Sequence, residues 1–176
     1  MQNLSGTDMN SETASFAAVC SLLWSERELL EHVVFKLTEQ RLVVGSGSSR
    51  WLAKATEEVR TAVAKIGGTE VLRAAEIEAL AEVLHLPHET TLAELVAIAP
   101  EPWATLLAEH RDALRSLVAE IEALGGEVRT LLQAGMNAIR ETLDGLDSLG
   151  SAIGGYDASG ASVDHRRGPF LLDQQA

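Results

Sequence analysis

Apolar residues in this chain recur at alternating steps of three and four, and this spacing limits the fold more than any other feature. Two long seams follow it, one near the N-terminus and one in the second half of the chain. Their members are Phe16, Val19, Leu23, Glu26, Leu30, Val33, Leu37, Gln40 and Val44, and Trp103, Leu107, His110, Leu114, Leu117, Ile121, Leu124, Val128 and Leu131. Such steps place side chains on one face of an α-helix. The spacing therefore predicts an all-α protein, built as an elongated antiparallel helical bundle or coiled coil.

Turn-forming and capping residues divide this pattern into four predicted helices. A Gly- and Ser-rich turn at residues 45–49 ends the first helix, and Pro87 ends the second. Thr91 and Glu94 form a capping box for a short third helix, and a long C-terminal helix follows. We predict a flexible N-terminus at 1–11, a single helical domain at 12–150 with helices at about 12–44, 50–84, 91–98 and 101–150, and a flexible tail at 151–176.

Glycine pairs interrupt two of the predicted helices. Each glycine in a helix interior costs about 1 kcal/mol relative to alanine, so we expect a break or a kink at residues 67–68. A second pair, at residues 125–126, leaves open whether the last helix is continuous. Trp51 and Trp103 each open a helix, and both are predicted to be mostly buried where the helices meet.

The last helix carries an apolar stripe that continues past the end of its seam. After Gly135 the stripe shifts by one residue, and Gly135 and Gly145 weaken this part of the helix. The first two long helices are expected to cover only part of the last one, so the stripe is predicted to be uncovered and to bind a partner. Its members are Leu131, Leu132, Ile139, Leu143, Leu146, Leu149 and Ile153. A coiled-coil seam between two copies of the chain is the alternative.

The charge balance excludes several classes of partner. Acidic residues outnumber basic ones, 26 to 14, for a formal net charge of −12. Because a negative surface repels phosphate groups, the sequence predicts no nucleic-acid binding and disfavours anionic membranes. No apolar run reaches the ~18 residues of a membrane span, which predicts no membrane insertion. The single cysteine, Cys20, cannot form an internal disulfide, and this fits a reducing cytoplasm.

The polar residues show no spacing that is typical of a catalytic or cofactor site. His85 and His88 flank Pro87, which prevents the single helical turn that a helical zinc pair needs. His110 falls on the second seam and is interpreted as a partly buried structural residue, and Cys20 as a small packed one. The sequence therefore predicts a protein that is not an enzyme and that holds no metal and no cofactor.

Short motifs, taken in order along the chain, resemble those of a known family. They are WSERELL at 24–30, FKLTEQRL at 35–42, RWLA at 50–53, VLRA at 71–74, LHLP at 84–87, APEPW at 99–103, the leucine pair at 131–132 and YDASG at 156–160. The series spans residues 22–160 and resembles the FlgN family of flagellar type III export chaperones. The glycine pair at 125–126 departs from the family pattern, in which better helix formers are expected.

The resemblance implies a function and a set of partners. FlgN-like proteins hold hook-associated proteins at their terminal helical segments, prevent their premature assembly and deliver them to the flagellar export gate. The resemblance places client binding on the C-terminal helix and tail, where the uncovered stripe also lies. In the tail, Tyr156 is the candidate for contact with a client or with the export gate. The alternative is a homodimeric coiled-coil scaffold protein without export clients.

Overall fold

Four α-helices make up almost all of the chain that can be described. The computed structural model describes the backbone of residues 4–152 and the side chains of residues 11–148. Within these residues there is no β-strand, and the helices are α1 (Leu4–Gly45), α2 (Ser49–Val83), α3 (Leu92–Ile98) and α4 (Trp103–Ala152). The prediction of an all-α helical bundle is confirmed. The chain divides into two compact units, Met1–Leu132 and Gln133–Ala176, and α4 supplies helix to both.

Polar contacts in the first unit show that α1 and α2 are antiparallel. In the middle of α1, Glu26 Oε2 lies 2.6 Å from Arg73 Nε, in the C-terminal half of α2. Later in α1, Gln40 Nε2 donates a hydrogen bond of 2.9 Å to Thr56 Oγ1, in the first turns of α2. Both Glu26 and Gln40 are buried. These two seam positions are polar because each has a partner on the neighbouring helix, which a buried polar group requires.

Contacts between α1 and α4 show that these two helices are parallel. Phe16 stacks on Trp103 with ring centroids 5.6 Å apart, and further along both helices Arg41 Nη1 lies 2.8 Å from Glu127 Oε2. The parallel orientation of α1 and α4 follows from the order of the helices. Helix α2 runs back along α1, and the connection through α3 places the first residue of α4, Trp103, beside Phe16 in the N-terminal half of α1.

The two seams predicted from sequence form the core of the first unit. The α1 seam is buried from Phe16 to Gln40. It contributes to two apolar clusters, which lie on either side of the Glu26–Arg73 ion pair along α1. One cluster contains Phe16, Val19, Leu23, Ile77, Leu80, Leu95 and Leu107, and the other contains Val33, Leu37, Ala62 and Leu124. Helix α3 reaches the first cluster through Leu95, and its capping box is present: Glu94 N–H donates to Thr91 Oγ1, and Thr91 N–H donates to Glu94 Oε2.

The helix boundaries and continuity differ from the prediction in two places. Helix α1 begins at Leu4, within the segment 1–11 that was expected to be loose. Once a helix is nucleated, each further residue adds a hydrogen bond at little cost, so the helix extends past the last core residue. Helix α2 runs unbroken through Gly67 and Gly68, and the predicted break was wrong. Buried Ala62 precedes the pair, and buried Ile77 and Leu80 follow it. Burial of these two large side chains, each worth roughly 1.5–3 kcal/mol, outweighs the penalty of about 2 kcal/mol for two glycines.

The remaining expectations concern single residues. The last helix is continuous through Gly125 and Gly126, which the sequence left open. Trp103 is partly buried in the first cluster, whereas Trp51 is 50% exposed, so its predicted burial was wrong. Leu52, one residue later, is the first partly buried side chain of α2, and Trp51 lies under the guanidinium of Arg50 instead, 4.9 Å from the ring centroid.

Candidate protein-binding site

The register between α1 and α4 determines where α4 loses its neighbours within the first unit. Arg41 and Glu127, which form an ion pair, are 86 residues apart, and Trp24 and His110 make a ring contact in the same register. Helix α1 ends at Gly45, four residues after Arg41, and that end corresponds to Leu131 on α4. Beyond this position α1 has no residue that could cover α4. The burial of α4 should therefore change near Leu131.

The exposure of the side chains changes at that position. Val128 is the last buried residue of α4, Leu131 is exposed and Leu132 is partly buried. In the second unit every described side chain, from residue 133 to residue 148, is exposed. The large apolar residues among them are Met136, Ile139, Leu143 and Leu146, with Leu143 and Leu146 exposed to 56% and 58%. We call these four residues the distal stripe.

The distal stripe has its own spacing on α4. Its members follow one another at steps of three, four and three, which places them on one helix face. The core seam ends at Leu131, and its next position, four residues on, is Gly135. The distal stripe instead continues from Leu132, which lies four residues before Met136. The apolar pattern thus shifts by one residue, as the sequence predicted. Met136 was missed by the sequence argument, although its spacing from Leu132 and Ile139 was a usable signal.

Charged residues lie on several sides of this part of α4. Glu141, Asp144 and Asp147 are exposed on this part of α4, with Arg140 as the one basic residue between positions 133 and 148. The hydroxyl of Thr142 donates to the carbonyl oxygen of Ala138 at 2.7 Å, so it is satisfied within the helix. Arg140 and Asp147 flank the apolar face, whereas Glu141 lies two residues from Ile139 and Leu143, on the opposite side of the helix. The border of the stripe therefore carries one charge of each sign.

The other predicted site residues lie in three places. Leu131 and Leu132 end the first unit, and their contact with a client stays a prediction. Leu149 belongs to the last turn of α4, but its side chain is not among the described ones. Ile153 and Tyr156 lie outside the described residues. Of the predicted stripe, the structure brings Ile139, Leu143 and Leu146 onto one exposed face and adds Met136.

Exposed aromatic rings form a second class of surface feature, in the first unit. Trp24, Phe35 and Trp51 are each about half exposed, and each has a cation above its ring. Arg27 lies 5.6 Å from the centroid of Trp24, and Lys36 lies 5.2 Å from that of Phe35. A cation–π contact at an exposed site is worth about 0.5–1 kcal/mol. These rings are thus partly covered by side chains of their own helices, unlike the distal stripe.

His110 and Cys20 are packed residues of the first unit, as the sequence predicted. The ring of His110 meets that of Trp24 edge-on, with centroids 6.2 Å apart, and its Nδ1 is buried without a hydrogen-bond partner. Burial lowers the pKa of His110, and the nearby Arg27 lowers it further. Burial raises the pKa of the Cys20 thiol, which packs against the first core cluster. Because a reactive thiol needs a depressed pKa, the raised pKa of Cys20 is typical of a packed, unreactive residue.

The described residues include no group of three or more His, Cys, Asp or Glu side chains placed to hold a metal ion. No helix among them has the length and apolar character needed to cross a membrane.

Comparison with known proteins identifies the family of this chain. The family model for FlgN proteins matches residues 9–163, which is most of the chain. No curated protein and no solved structure matches it. The matched range includes all of α2, α3 and α4 and most of α1, so it covers both core clusters and the distal stripe. The chain therefore belongs to the FlgN family, whose members are flagellar export chaperones that bind hook-associated proteins and are not enzymes.

Proposed function

We propose that this chain binds the terminal helical segments of hook-associated proteins on the distal stripe of α4. In the cytoplasm it keeps these clients from assembling early and delivers them to the flagellar export gate. The observation that carries the proposal is the change in exposure after Val128, where the apolar pattern of α4 continues but its burial ends. In the first unit the same helix uses its apolar face for the core, so an equally regular apolar face without a cover is suited to a partner.

The size of the distal stripe sets the strength of binding that it can support. Full burial of a Leu, Ile or Met side chain is worth roughly 1.5–3 kcal/mol, and half of each stripe side chain is already shielded by α4 itself. Four such side chains supply on the order of 3–6 kcal/mol before the client's own burial is added and the entropy of association is subtracted. Such a site binds reversibly, as delivery to an export apparatus requires.

The geometry of the distal stripe favours a helical client. Steps of three and four suit a second helix with the same spacing, laid along α4. Gly135 and Gly145 each lower the helix propensity of this segment by about 1 kcal/mol relative to alanine, so a bound client also stabilises the helix. No heavy atom lies within 4 Å of the position that a Cβ would take at either glycine. Gly135 lies beside the stripe, so a client helix can approach the backbone closely there, whereas Gly145 lies toward the other side of the helix.

A binding titration with matched variants tests the proposal. The test variant is Leu143→Asp with Leu146→Asp, and the control is Leu42→Asp with Leu72→Asp, two leucines of the first unit that are exposed to 64% and 60%. The ligand is a labelled peptide from the C-terminal helix of a hook-associated protein. We expect the test variant to lose binding by more than about 100-fold, because two apolar contacts are replaced by desolvated charges, and the control to bind like the wild type.

Three outcomes would count against this placement of the site. The test variant could bind normally, it could unfold far more easily than the wild type, or the control could lose binding equally. In the second case the stripe would be part of a packed core or seam.

A homodimeric scaffold is the second candidate function, and the spacing of the stripe favours it as well. Two copies of Met136, Ile139, Leu143 and Leu146 could form a short coiled-coil seam. Sedimentation velocity over a range of protein concentrations separates the two functions. A dimer that is lost in the Leu143→Asp, Leu146→Asp variant would support the scaffold, and a monomer at all concentrations would exclude it.

A further inference from the structure

Helix α2 carries an exposed apolar face on the side away from the core. The buried side chains of α2 are those of Ala62, Ile77, Leu80 and Ala81. At about 3.6 residues per turn, a second row of residues lies roughly opposite them, and all of its members are exposed. They are Ala64, Gly68, Val71, Leu72, Ala75 and Ala79, and we call this row the α2 face. Val71 and Leu72 stand at its centre and are exposed to 69% and 60%, so two large apolar side chains are left largely uncovered.

The α2 face is symmetrical about a point between Val71 and Leu72. Gly68 and Ala75 are equally far from that point along the helix, and so are the two end members of the row, Ala64 and Ala79. A second α2 helix that lies antiparallel across a twofold axis at this point places the partner's Ala75 opposite Gly68. Val71 and Leu72 each lie beside the same residue of the partner. A surface that fits itself in this way is the requirement for an isologous contact between two copies.

The charges at the two ends of the α2 face have opposite signs. Arg60 and Lys65 flank its N-terminal end, and Glu76 and Glu82 flank its C-terminal end. In the antiparallel arrangement Arg60 lies near the partner's Glu82, and Lys65 near the partner's Glu76, each pair on one flank of the contact. A parallel arrangement would instead place like charges side by side. The charge pattern therefore selects a second copy of α2 in the antiparallel orientation.

Two other acidic residues near the face do not change this selection. Glu57 forms an ion pair with Arg60 in its own helix, and it lies beyond the end of the partner helix in this register. Such an exposed pair within one helix contributes little, so it does not prevent Arg60 from reaching a partner. Glu78 adds a further negative charge at the C-terminal end of the face, where it lies 3.4 Å from His88.

Gly68 supports a close approach of a second helix. No heavy atom lies within 4 Å of the position that its Cβ would take, so the packing of its own chain does not require a glycine there. Glycine is unfavourable in the interior of a helix, whereas it allows another backbone to come near. The alanines on either side of it are small for the same purpose.

We propose that two copies of this chain bind each other through the α2 face, with the two α2 helices antiparallel. The helices overlap over residues 60–83, about 36 Å at ~1.5 Å per residue. Because the contact is short and contains mainly small side chains, we expect a dissociation constant on the order of 10–100 µM. The α2 face shares no residue with the distal stripe, so the dimer does not depend on the function proposed above and leaves client binding unchanged.

Sedimentation velocity of the full-length protein tests the dimer. We expect the 18.8 kDa monomer to convert to a dimer between about 5 and 500 µM, a range that brackets the expected dissociation constant. Val71→Asp with Leu72→Asp should remain a monomer throughout. The control, Phe35→Asp with Leu42→Asp, changes two α1 residues that are exposed to 55% and 64%, and it should dimerise like the wild type. Circular dichroism should be the same for all of them, since every changed residue is exposed.

Two results of that experiment would overturn the proposal. One is a wild-type protein that stays a monomer over the whole range. The other is a dimer that persists in the Val71→Asp, Leu72→Asp variant. A dimer that is lost in Leu143→Asp with Leu146→Asp would lie on the distal stripe, which also overturns the assignment to α2.

Reversal of the charges tests the antiparallel register. Arg60→Glu alone or Glu82→Arg alone places like charges together at both ends of the contact, and each should weaken the dimer by about ten-fold. The two changes combined in one chain restore opposite charges and should restore the dimer to within about three-fold of the wild type. Single variants that dimerise like the wild type, or a double variant that is as weak as the single ones, would overturn the proposed arrangement.

Discussion

Truncation of two leucines on the same helix should change the free energy of unfolding by very different amounts. Leu107 of α4 is fully buried in the first core cluster, which also contains residues of α1, α2 and α3, and Leu143 is 56% exposed in the distal stripe. Leu107→Ala leaves a cavity at the point where four helices meet. From comparable buried leucines we expect a loss of about 2.7–5 kcal/mol in the free energy of unfolding.

Leu143→Ala should change the free energy of unfolding by less than about 1 kcal/mol. The lost side chain contacts little besides its own helix, and alanine has the higher helix propensity, so the two small effects partly cancel. Leu106→Ala provides a control within the first unit, because Leu106 neighbours Leu107 but is partly exposed to solvent. We expect that variant to lie much closer to Leu143→Ala than to Leu107→Ala.

Urea unfolding followed by tryptophan fluorescence measures these differences, since Trp103 packs in the same cluster as Leu107. Thermal unfolding should show a decrease of roughly 10 °C for Leu107→Ala. A loss above about 2 kcal/mol for Leu143→Ala would refute the reasoning. A midpoint that also depends on protein concentration would then indicate a dimer seam.

Three other measurements follow from the polar groups of the first unit. Arg73→Ala leaves Glu26 buried without its partner and should cost about 3 kcal/mol near neutral pH. That cost should shrink on acidification, because burial raises the pKa of Glu26 and loss of the arginine raises it further, so the carboxyl becomes protonated and neutral. Equal losses of stability at all pH values in urea unfolding would contradict this. The pKa of His110 is lowered, so the unfolded chain takes up a proton first and the free energy of unfolding should fall as the pH drops below 6.5. Because an imidazolium quenches indole, the fluorescence of Trp24 should fall with a midpoint below that pH, and the effect should be absent in His110→Gln. Hydrogen bonds from the N-cap of α3 lower the pKa of Glu94, so its contribution to stability is present above pH 4.5 and is lost as the pH falls through the folded value. Glu94→Gln should therefore be less stable than the wild type near neutral pH in thermal unfolding, and the difference should vanish in acid.

The sequence predicted the core of the first unit well, because the alternating spacing of three and four residues determines which side chains of each helix are buried. The α1 seam includes Glu26 and Gln40, and the spacing assigned both to the buried face although their side chains are polar. Their partners, Arg73 and Thr56, could not be assigned, since pairing between helices depends on the register of α1 against α2. A single sequence shows the periodicity of each helix but contains no direct signal for that register.

The predictions that were wrong relied on the preferences of single residues and did not include the packing between helices. Gly67 and Gly68 predicted a break because their intrinsic penalty is local, whereas the packing of Ala62 and Ile77 on either side is not visible in the local sequence. Trp51 was assigned to the core because it opens a helix at the junction, yet it is Leu52, one residue later, that is partly buried. On the distal part of α4, the shift of the apolar pattern was visible from spacing alone.

The separation between the core seam and the distal stripe allows α4 to serve stability and binding independently. Residues that bury the core end at Val128, and the stripe begins at Met136, so a change in the stripe need not disturb the packing of α1, α2 and α3. Substitutions at well-separated sites act additively. The stripe can therefore vary with the client while the core stays constant, and a variant that combines Leu107→Ala with Leu143→Ala should show the sum of the two single effects within about 0.5 kcal/mol. A larger deviation in urea unfolding would mean that the stripe and the core are coupled.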